Sequence, residues 1–418
     1  MGTQDFAMGF VPGRHRASPE MQRILGLLHR LMPALEAPSD QLWQRMGEHF
    51  MRGDGPADRL VEWMFANGMR ESRALFDRAL ENGIATVHDA PPPLREFFEK
   101  IEACPDWLDE RKLSIGAELH RRAGVAATYA GRDVALVGGY QASAFNKTLL
   151  LTGALEKGPA RRFAETLRWA LDCTGEGGMD RFGPGYKSTV QVRLIHGLVR
   201  RHVRQLPAWR MEEWGLPINQ PDMSATLLGA LIVPLLAARL MGMPQTRDER
   251  EAAVHLTRYI GWLMGVEEEW LPADENAALT LLSQLLLSLA NPDETSAQLA
   301  RPMADEPLGR PYARFAGLRG RLERSKHLSI SRLFLGSRGM RQLGLPSQVL
   351  PWYPLLMMPV NLTRHLASRI VPGGKQRAAR RGRQAQERFL KLLSGTQAAV
   401  VGQSVAGGAH PSSAAGKT

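Results

Sequence analysis

The sequence predicts an all-α fold, and three observations support that prediction. Apolar residues recur at intervals of three and four over most of residues 19–394, and no stretch shows the alternation that is typical of strands. A chain of 418 residues is long enough to bury a large core. An apolar content of 44% is that of a globular protein and not of a disordered one.

The chain divides into four predicted segments. Residues 1–18 are expected to form a flexible N-terminal arm, and residues 19–305 a helical core. Residues 306–394 are expected to form a basic helical extension packed on that core. Residues 395–418 are rich in Gly, Ala and Ser and are expected to be disordered.

Several segments show helical periodicity in chain order. They are residues 21–35, 39–53, 58–68, 95–103, 105–130, 138–153, 159–173, 183–204, 223–242, 250–266, 275–291, 312–336 and 375–393. Segment 223–242 is almost wholly apolar. Because Pro234 interrupts it, we expect a buried core helix and not a membrane span.

Cysteine content and the N-terminus bear on the compartment. Cys104 and Cys173 are the chain's two cysteines, which excludes a disulfide framework and a cysteine-based zinc site. Residues 1–21 contain no long apolar core of a signal peptide, and Phe6 breaks the myristoylation pattern. We therefore expect a cytoplasmic protein without a transmembrane span.

Charge is unevenly distributed along the chain, whose net charge is +11. Residues 310–418 contain 19 Lys and Arg against two acidic residues, a net +17, and residues 1–309 contain 34 against 40, a net −6. Such asymmetry indicates an anionic partner, either a membrane or a nucleic acid. Nucleic acid is disfavoured, because no aromatic residues alternate with the charges. The apolar segment 349–362 could instead lie at a membrane surface or pack on the core.

Segment 183–204 carries the histidine of greatest interest. Its Gly-Pro-Gly opening is expected to be non-helical, with Ser188 or Thr189 capping the helix. His196 lies on the same apolar face as Val192, Ile195, Val199 and Val203. Spacing alone leaves two alternatives, a core histidine bonded to a carbonyl group or a ligand of a metal or haem.

Arginines flank His196 on that side of the helix. Arg193 lies three residues before it and Arg200 four residues after it. Guanidinium groups suit carboxylates such as haem propionates, and the alternative is a solvated helix edge. The preceding helix places Arg162 and Thr166 on one face, with Glu165 close to it. From spacing, Arg162 and Glu165 could simply form a surface ion pair.

Four segments in order resemble the latex clearing protein family, the rubber oxygenases and their relatives in meroterpenoid biosynthesis. They are TGALEKGPARRFAET, GPGYKSTVQVRLIHGLVR, WGLPINQPDMSATLL and RYIGWLMGVEEEWLP. The resemblance covers roughly residues 130–275. It implies a globin-like helical core around one haem b. It also implies cleavage of a carbon–carbon double bond in an isoprenoid chain by dioxygen.

The resemblance assigns roles to individual residues. His196 corresponds to the proximal ligand of the haem iron, and Arg193 and Arg200 are then expected beside the cofactor. Arg162 and Thr166 correspond to the distal arginine and threonine. Thr226 corresponds to a further threonine of the haem pocket.

Two departures from the family pattern concern the distal side. Rubber oxygenases have a lysine directly before the distal threonine, where this chain has Glu165. That residue could act as a base or pair with Arg162. The family's acidic residue ahead of this helix has no match, since Asn146 and Lys147 occupy that neighbourhood. Another substrate is one interpretation, and a haem-binding sensor or carrier without oxygenase turnover is the alternative function.

Overall fold

The computed structural model describes residues 9–16, 35–153, 158–289 and 292–395, and within these ranges it contains helices and no β-strand. The all-α prediction is confirmed, and the globin-like arrangement stays a prediction. The predicted helix at residues 21–35 falls outside the described residues except for Leu35, and residues 396–418 of the predicted tail do too. The longer helices are α1 (Asp40–His49), α2 (Gly55–Ala66), α3 (Met69–Asn82), α4 (Pro92–Glu102), α5 (Glu110–Ala130), α6 (Ser143–Leu151), α7 (Pro159–Cys173), α8 (Pro184–Arg204), α9 (Gln220–Leu231), α10 (Val233–Leu240), α11 (Arg247–Leu263), α12 (Glu275–Leu289), α13 (Glu294–Asp305), α14 (Ala316–Gln342), α15 (Trp352–Ile370) and α16 (Gly374–Ser394).

Side-chain caps explain where several helices begin. Ser39 accepts a hydrogen bond from the backbone N–H of Leu42 at the start of α1, and Asp109 accepts from the first turn of α5. Thr246 and Glu249 form a reciprocal capping box on α11. Each cap satisfies backbone donors that the helix itself leaves unpaired.

The start of α8 differs from the prediction. The helix begins at Pro184 with Gly183 as its N-cap, and not at Ser188 or Thr189. Proline suits the first helical position because its missing N–H is not needed there. Gly185 then lies so close to α7 that a Cβ would stand 2.6 Å from the Cα of Cys173. The Gly-Pro-Gly sequence is thus part of the helix start, and it permits close packing of α8 on α7.

The apolar segment after residue 219 forms two helices, α9 and α10, which are separated at Ile232 just before Pro234. Gln220–Leu240 is long and apolar enough to cross a membrane by composition alone, but 56% of its most apolar window is buried inside the protein. The expectation of a core position for this segment agrees with that burial. The expected single helix is wrong, because proline cannot donate the backbone hydrogen bond.

Residues 9–16 are packed on the core, which corrects the expected flexible arm for this part of it. Arg14 is 6% exposed, and its guanidinium binds both carboxylate oxygens of Asp222 at 2.9 and 2.6 Å. The same guanidinium lies 4.2 Å from the centre of the Phe50 ring. Arg14 thus connects the N-terminal segment to the start of α9. Helical periodicity could not predict this contact.

The basic C-terminal helices pack on the central helix α5. A buried network joins α14 to the end of α5: His327 Nδ1 lies 2.6 Å from Asp133, and Arg310 contacts Glu306 at 2.7 Å. Arg132 contacts both Asp133 and Glu306. Because these charges are buried together, removing one partner would leave another buried without compensation.

Helix α16 crosses α5 at a pair of glycines. A Cβ on Gly382 would overlap the backbone oxygen of Arg121, and one on Gly124 would stand 3.1 Å from the Cα of Gly382.

We expect Gly382→Ala to lower the free energy of unfolding by about 1–3 kcal/mol, the usual cost of overpacking. Urea unfolding measures this, with Gly317→Ala as control because its Cβ would meet no atom within 4 Å. An equal effect in the two variants would contradict the proposed close crossing.

Candidate active site

A cavity of about 710 Å³ runs along helix α7. Its wall includes residues from every turn of that helix, beginning with Arg162 and Thr166 and ending with Thr174 just beyond it. At 1.5 Å per residue, these positions span roughly 18 Å. Cavities of about 300–1,000 Å³ are of the size that binds ligands and cofactors. The shape suits an extended molecule.

The other walls come from distant parts of the chain. Helices α9 and α10 contribute Thr226, Gly229 and Pro234, and the wall is mostly apolar. A Cβ at Gly139 or Gly229 would meet no atom within 4 Å, so these glycines widen the cavity. Helix α14 contributes Phe334, Leu335, Arg338, Gly339 and Gln342 to the wall. Sequence reasoning missed these residues, because amphipathic spacing was their only distinctive feature.

Arg162 contributes a positive charge to this apolar cavity. Burial lowers the pKa of its guanidinium, and the nearby Tyr140 and Glu165 oppose that shift. Among the residues that the structure describes, the Arg162 guanidinium has no hydrogen-bond partner. The Arg162 side chain is half-buried at the cavity wall, so its donors remain available to a ligand.

Two threonine hydroxyl groups line the same cavity. Thr166 Oγ1 donates to the backbone oxygen of Arg162 at 3.3 Å, and Thr226 Oγ1 donates to that of Asp222 at 2.7 Å. Each hydroxyl oxygen keeps its capacity to accept a hydrogen bond. Three of the predicted site residues, Arg162, Thr166 and Thr226, therefore meet in one cavity.

His196 lies on α8, which packs against α7, and it is not part of the wall of this cavity. Its ring is half-buried, and the Nδ1 atom is buried without a hydrogen-bond partner. Burial, followed by the charge of Arg200, lowers the pKa of His196 to about 4. The imidazole is therefore neutral at physiological pH, as a metal ligand must be. A bond to a backbone carbonyl, the structural alternative, is not formed with any described residue.

Arg193 and Arg200 form buried ion pairs, which corrects the expectation of a solvated helix edge, while their expected contact with the cofactor stays a prediction. Arg193 binds both carboxylate oxygens of Asp54 at 2.6 and 2.8 Å, and Arg200 binds Asp58 at 2.8 Å. Each arginine is 1% exposed, so neither lies on a solvated helix edge. Their charges are used to join α8 to α2, and neither lines the cavity. Sequence reasoning missed the partners because Asp54 and Asp58 lie about 140 residues away.

The residues at the two family departures also lie outside the cavity wall. Glu165 is buried, its carboxylate lies 3.8 Å from Arg161, and its charge also acts on the nearby Arg162 guanidinium. Asn146 is fully buried and donates to the backbone oxygen of Tyr140 at 2.7 Å. Lys147 pairs with Asp293 at 2.8 Å. Each of the three has a local structural explanation.

The chain matches a protein-family model and a curated relative. The family model described as ER-bound oxygenase mpaB/B'/Rubber oxygenase, catalytic domain, matches residues 118–368. A rubber oxygenase from Streptomyces sp. (strain K30) is 27% identical over 243 residues, which are 56% of this chain. The match covers 54% of that relative, so the chain spans about half the length of the curated protein it matches.

A solved structure shares the fold. The structure of latex clearing protein LCP in the closed state superposes with a TM-score of 0.56 at 20% identity. The match covers 82% of this chain and 91% of the other. The family model alone covers more than half of the chain and includes every predicted site residue. The chain therefore belongs to the ER-bound oxygenase mpaB/B' and rubber oxygenase family.

Proposed function

We propose that the protein is a haem b-dependent oxygenase that cleaves or oxidises a carbon–carbon double bond of a hydrophobic isoprenoid by means of dioxygen. One observation carries the proposal: a mostly apolar cavity along α7 contains the Arg162 guanidinium, which has no hydrogen-bond partner among the described residues. The cavity lies largely within the residues that the oxygenase family model matches. An apolar chain fits such walls, and a polar group at one position fits an orienting role.

The donor groups present fit a haem. His196 supplies a neutral imidazole whose Nδ1 atom has no hydrogen-bond partner in the described part of the chain, and it is the proposed iron ligand. Arg162, Thr166 and Thr226 supply polar groups to the cavity along α7, the helix against which α8 packs. The bound haem would supply the dioxygen chemistry. Arg193 and Arg200 are held by Asp54 and Asp58, and Arg200 Nη2 is a buried donor without a partner among the described residues, so contact of these arginines with the cofactor stays a prediction.

The chain's own residues then have separate tasks. The guanidinium of Arg162 donates hydrogen bonds to an oxygen atom of the reactants and holds it in place. Thr166 lies one turn further along α7 and orients the same group through its hydroxyl. The apolar walls exclude water and align the hydrocarbon chain along α7. Glu165 lies directly before Thr166 on α7 without lining the cavity, and its role as a base stays a prediction.

An absorbance spectrum tests the cofactor part of the proposal. We expect the protein, purified with haem supplied during expression, to show a Soret band. Dioxygen should change that band in the reduced protein, since the site is proposed to bind the gas. A preparation that remains colourless after haem supplementation would contradict the proposal.

Replacing Arg162 should impair turnover much more than haem binding. We expect Arg162→Ala to lower the turnover rate about 10²-fold, the usual effect of removing one hydrogen-bond donor from a reacting oxygen. Oxygen consumption measures turnover, and the Soret absorbance measures bound haem. The matched control is Arg161→Ala, because Arg161 is exposed and lies outside the cavity wall. Equal activity in the two variants would remove Arg162 from the mechanism.

A further inference from the structure

Helix α15 carries an apolar face that points to solvent. Leu355, Met358, Leu362, Leu366 and Ile370 are each more than a third exposed, and Ile370 is 82% exposed. They follow one another at intervals of three and four residues, so they form one stripe, here called the α15 apolar face. At 1.5 Å per residue the stripe is roughly 22 Å long. Contiguous exposed apolar residues of this kind mark an interaction site.

The adjacent side of α15 is fixed to the protein. Asn361 Nδ2 donates to the backbone oxygen of Met241 at 2.9 Å, and Arg369 contacts Glu249 at 2.7 Å. His365 is buried on this side. Because polar contacts hold the helix in this orientation, the α15 apolar face is a built part of the surface.

A second group of exposed apolar residues begins α14. Phe315, Leu318 and Leu322 are all more than half exposed, and the two leucines lie one turn apart. Trp352 Nε1 donates to Ser325 Oγ at 3.1 Å. This bond places the start of α15 beside α14, one turn after Leu322. The two apolar groups are therefore neighbours.

The surrounding charge is strongly positive. Residues 350–395 contain nine basic residues and a single acidic one, Glu387, which pairs with Arg383 at 3.0 Å. Arg364, Arg380 and Arg381 are exposed, and they form no ion pair with any residue in the described ranges. The C-terminal segment that carries the α15 apolar face thus has an excess of exposed positive charge.

We propose that the α15 apolar face docks on an anionic lipid bilayer, with α15 parallel to the membrane plane. The apolar side chains would enter the acyl boundary while the arginines bind headgroup phosphates and carboxylates. A second copy of the chain would bring two equally cationic segments together, which is repulsive. A nucleic acid would bind the arginines but leave the five apolar side chains in water.

Vesicle flotation with the full chain tests this proposal and requires neither cofactor nor turnover, so it fails or succeeds separately from the proposed enzyme function. We expect binding to phosphatidylcholine vesicles that contain phosphatidylserine, and little binding to phosphatidylcholine alone. Added salt should weaken the binding, because the charges are exposed. If binding does not depend on phosphatidylserine, the proposal is overturned.

Two sets of substitutions separate the apolar and charged parts. The triple variant Leu362→Ser, Leu366→Ser, Ile370→Ser should bind at least about tenfold more weakly, since it loses apolar burial. The triple variant Arg364→Gln, Arg380→Gln, Arg381→Gln should bind about a hundredfold more weakly. These side chains are exposed, so both variants should keep the wild-type melting temperature.

Matched controls lie elsewhere on the surface. Phe65→Ser removes an exposed apolar residue of α2, and Arg70→Gln, Arg78→Gln, Arg111→Gln removes three exposed charges. We expect both controls to bind as the wild type does. An equal loss in controls and test variants would overturn the proposal. A wild-type dimer that the serine variant converts to a monomer, without vesicle binding, would show that the face joins two copies instead.

Discussion

Replacing His196 by Ala is expected to abolish tight haem binding. The imidazole is the neutral, half-buried donor on α8, with a pKa of about 4 and no hydrogen bond from its buried Nδ1 atom. Since no hydrogen bond to a described residue is lost, the variant should remain folded. Titration of the apoprotein with haem, followed at the Soret wavelength, should show a loss of affinity and of any oxygenase activity.

The matched control for this variant is His202→Ala on the same helix. His202 is exposed near the end of α8 and lies six residues after His196, so it points in another direction. We expect it to leave the haem spectrum and affinity unchanged. A Soret band that survives in His196→Ala with wild-type affinity would place the iron ligand elsewhere.

Replacing Arg193 by Met is expected to lower the free energy of unfolding by about 3–5 kcal/mol, the usual result of removing one partner of a buried ion pair. The carboxylate of Asp54 accepts two hydrogen bonds from Arg193 and also one from Ala57 N at the start of α2. Without the guanidinium it would remain buried and uncompensated. Urea unfolding of the haem-free protein measures the change.

A surface ion pair on the same helix serves as the control. Arg201 contacts Glu62 at 3.0 Å, and the glutamate side chain is 46% exposed, so Arg201→Met should cost less than about 1 kcal/mol. The double variant Asp54→Leu, Arg193→Met should recover much of the stability, because no charge is left unpaired. If Arg193→Met keeps wild-type stability but loses haem affinity, the arginine serves the cofactor and not the α2–α8 contact.

The fold class could be predicted from sequence because helical periodicity is a local property. The first residue of a helix was harder to predict where the preferences of neighbouring residues conflict. Gly183 and Gly185 were interpreted as helix breakers, but the proline between them is suited to the first turn, and the close approach of α7 requires a glycine. The packing of Arg14 on Asp222 depends on residues about 200 positions apart. The hydrophobic periodicity of a sequence carries no information about such a pairing.

The candidate site was predictable in part. Spacing on α7 placed Arg162 and Thr166 on one face, and the resemblance to the rubber oxygenases added Thr226. The structure brings these three into one cavity. The ion pair of Arg193 could not be predicted, because an arginine beside a histidine has the same spacing whether it binds a propionate or a distant aspartate. The residues that α14 contributes to the cavity wall could not be predicted either, because they are distant from α7 along the chain.

The central claim is turnover, and oxygen uptake tests it most directly. The haem-loaded protein is incubated with squalene or a linear polyisoprene, dioxygen is followed with an electrode, and the products are analysed for new carbonyl groups. We predict substrate-dependent oxygen consumption with carbonyl-ended products, strongly reduced in Arg162→Ala. A protein that binds haem fully but consumes no dioxygen with any of these chains would be a sensor or carrier, and the oxygenase proposal would be contradicted.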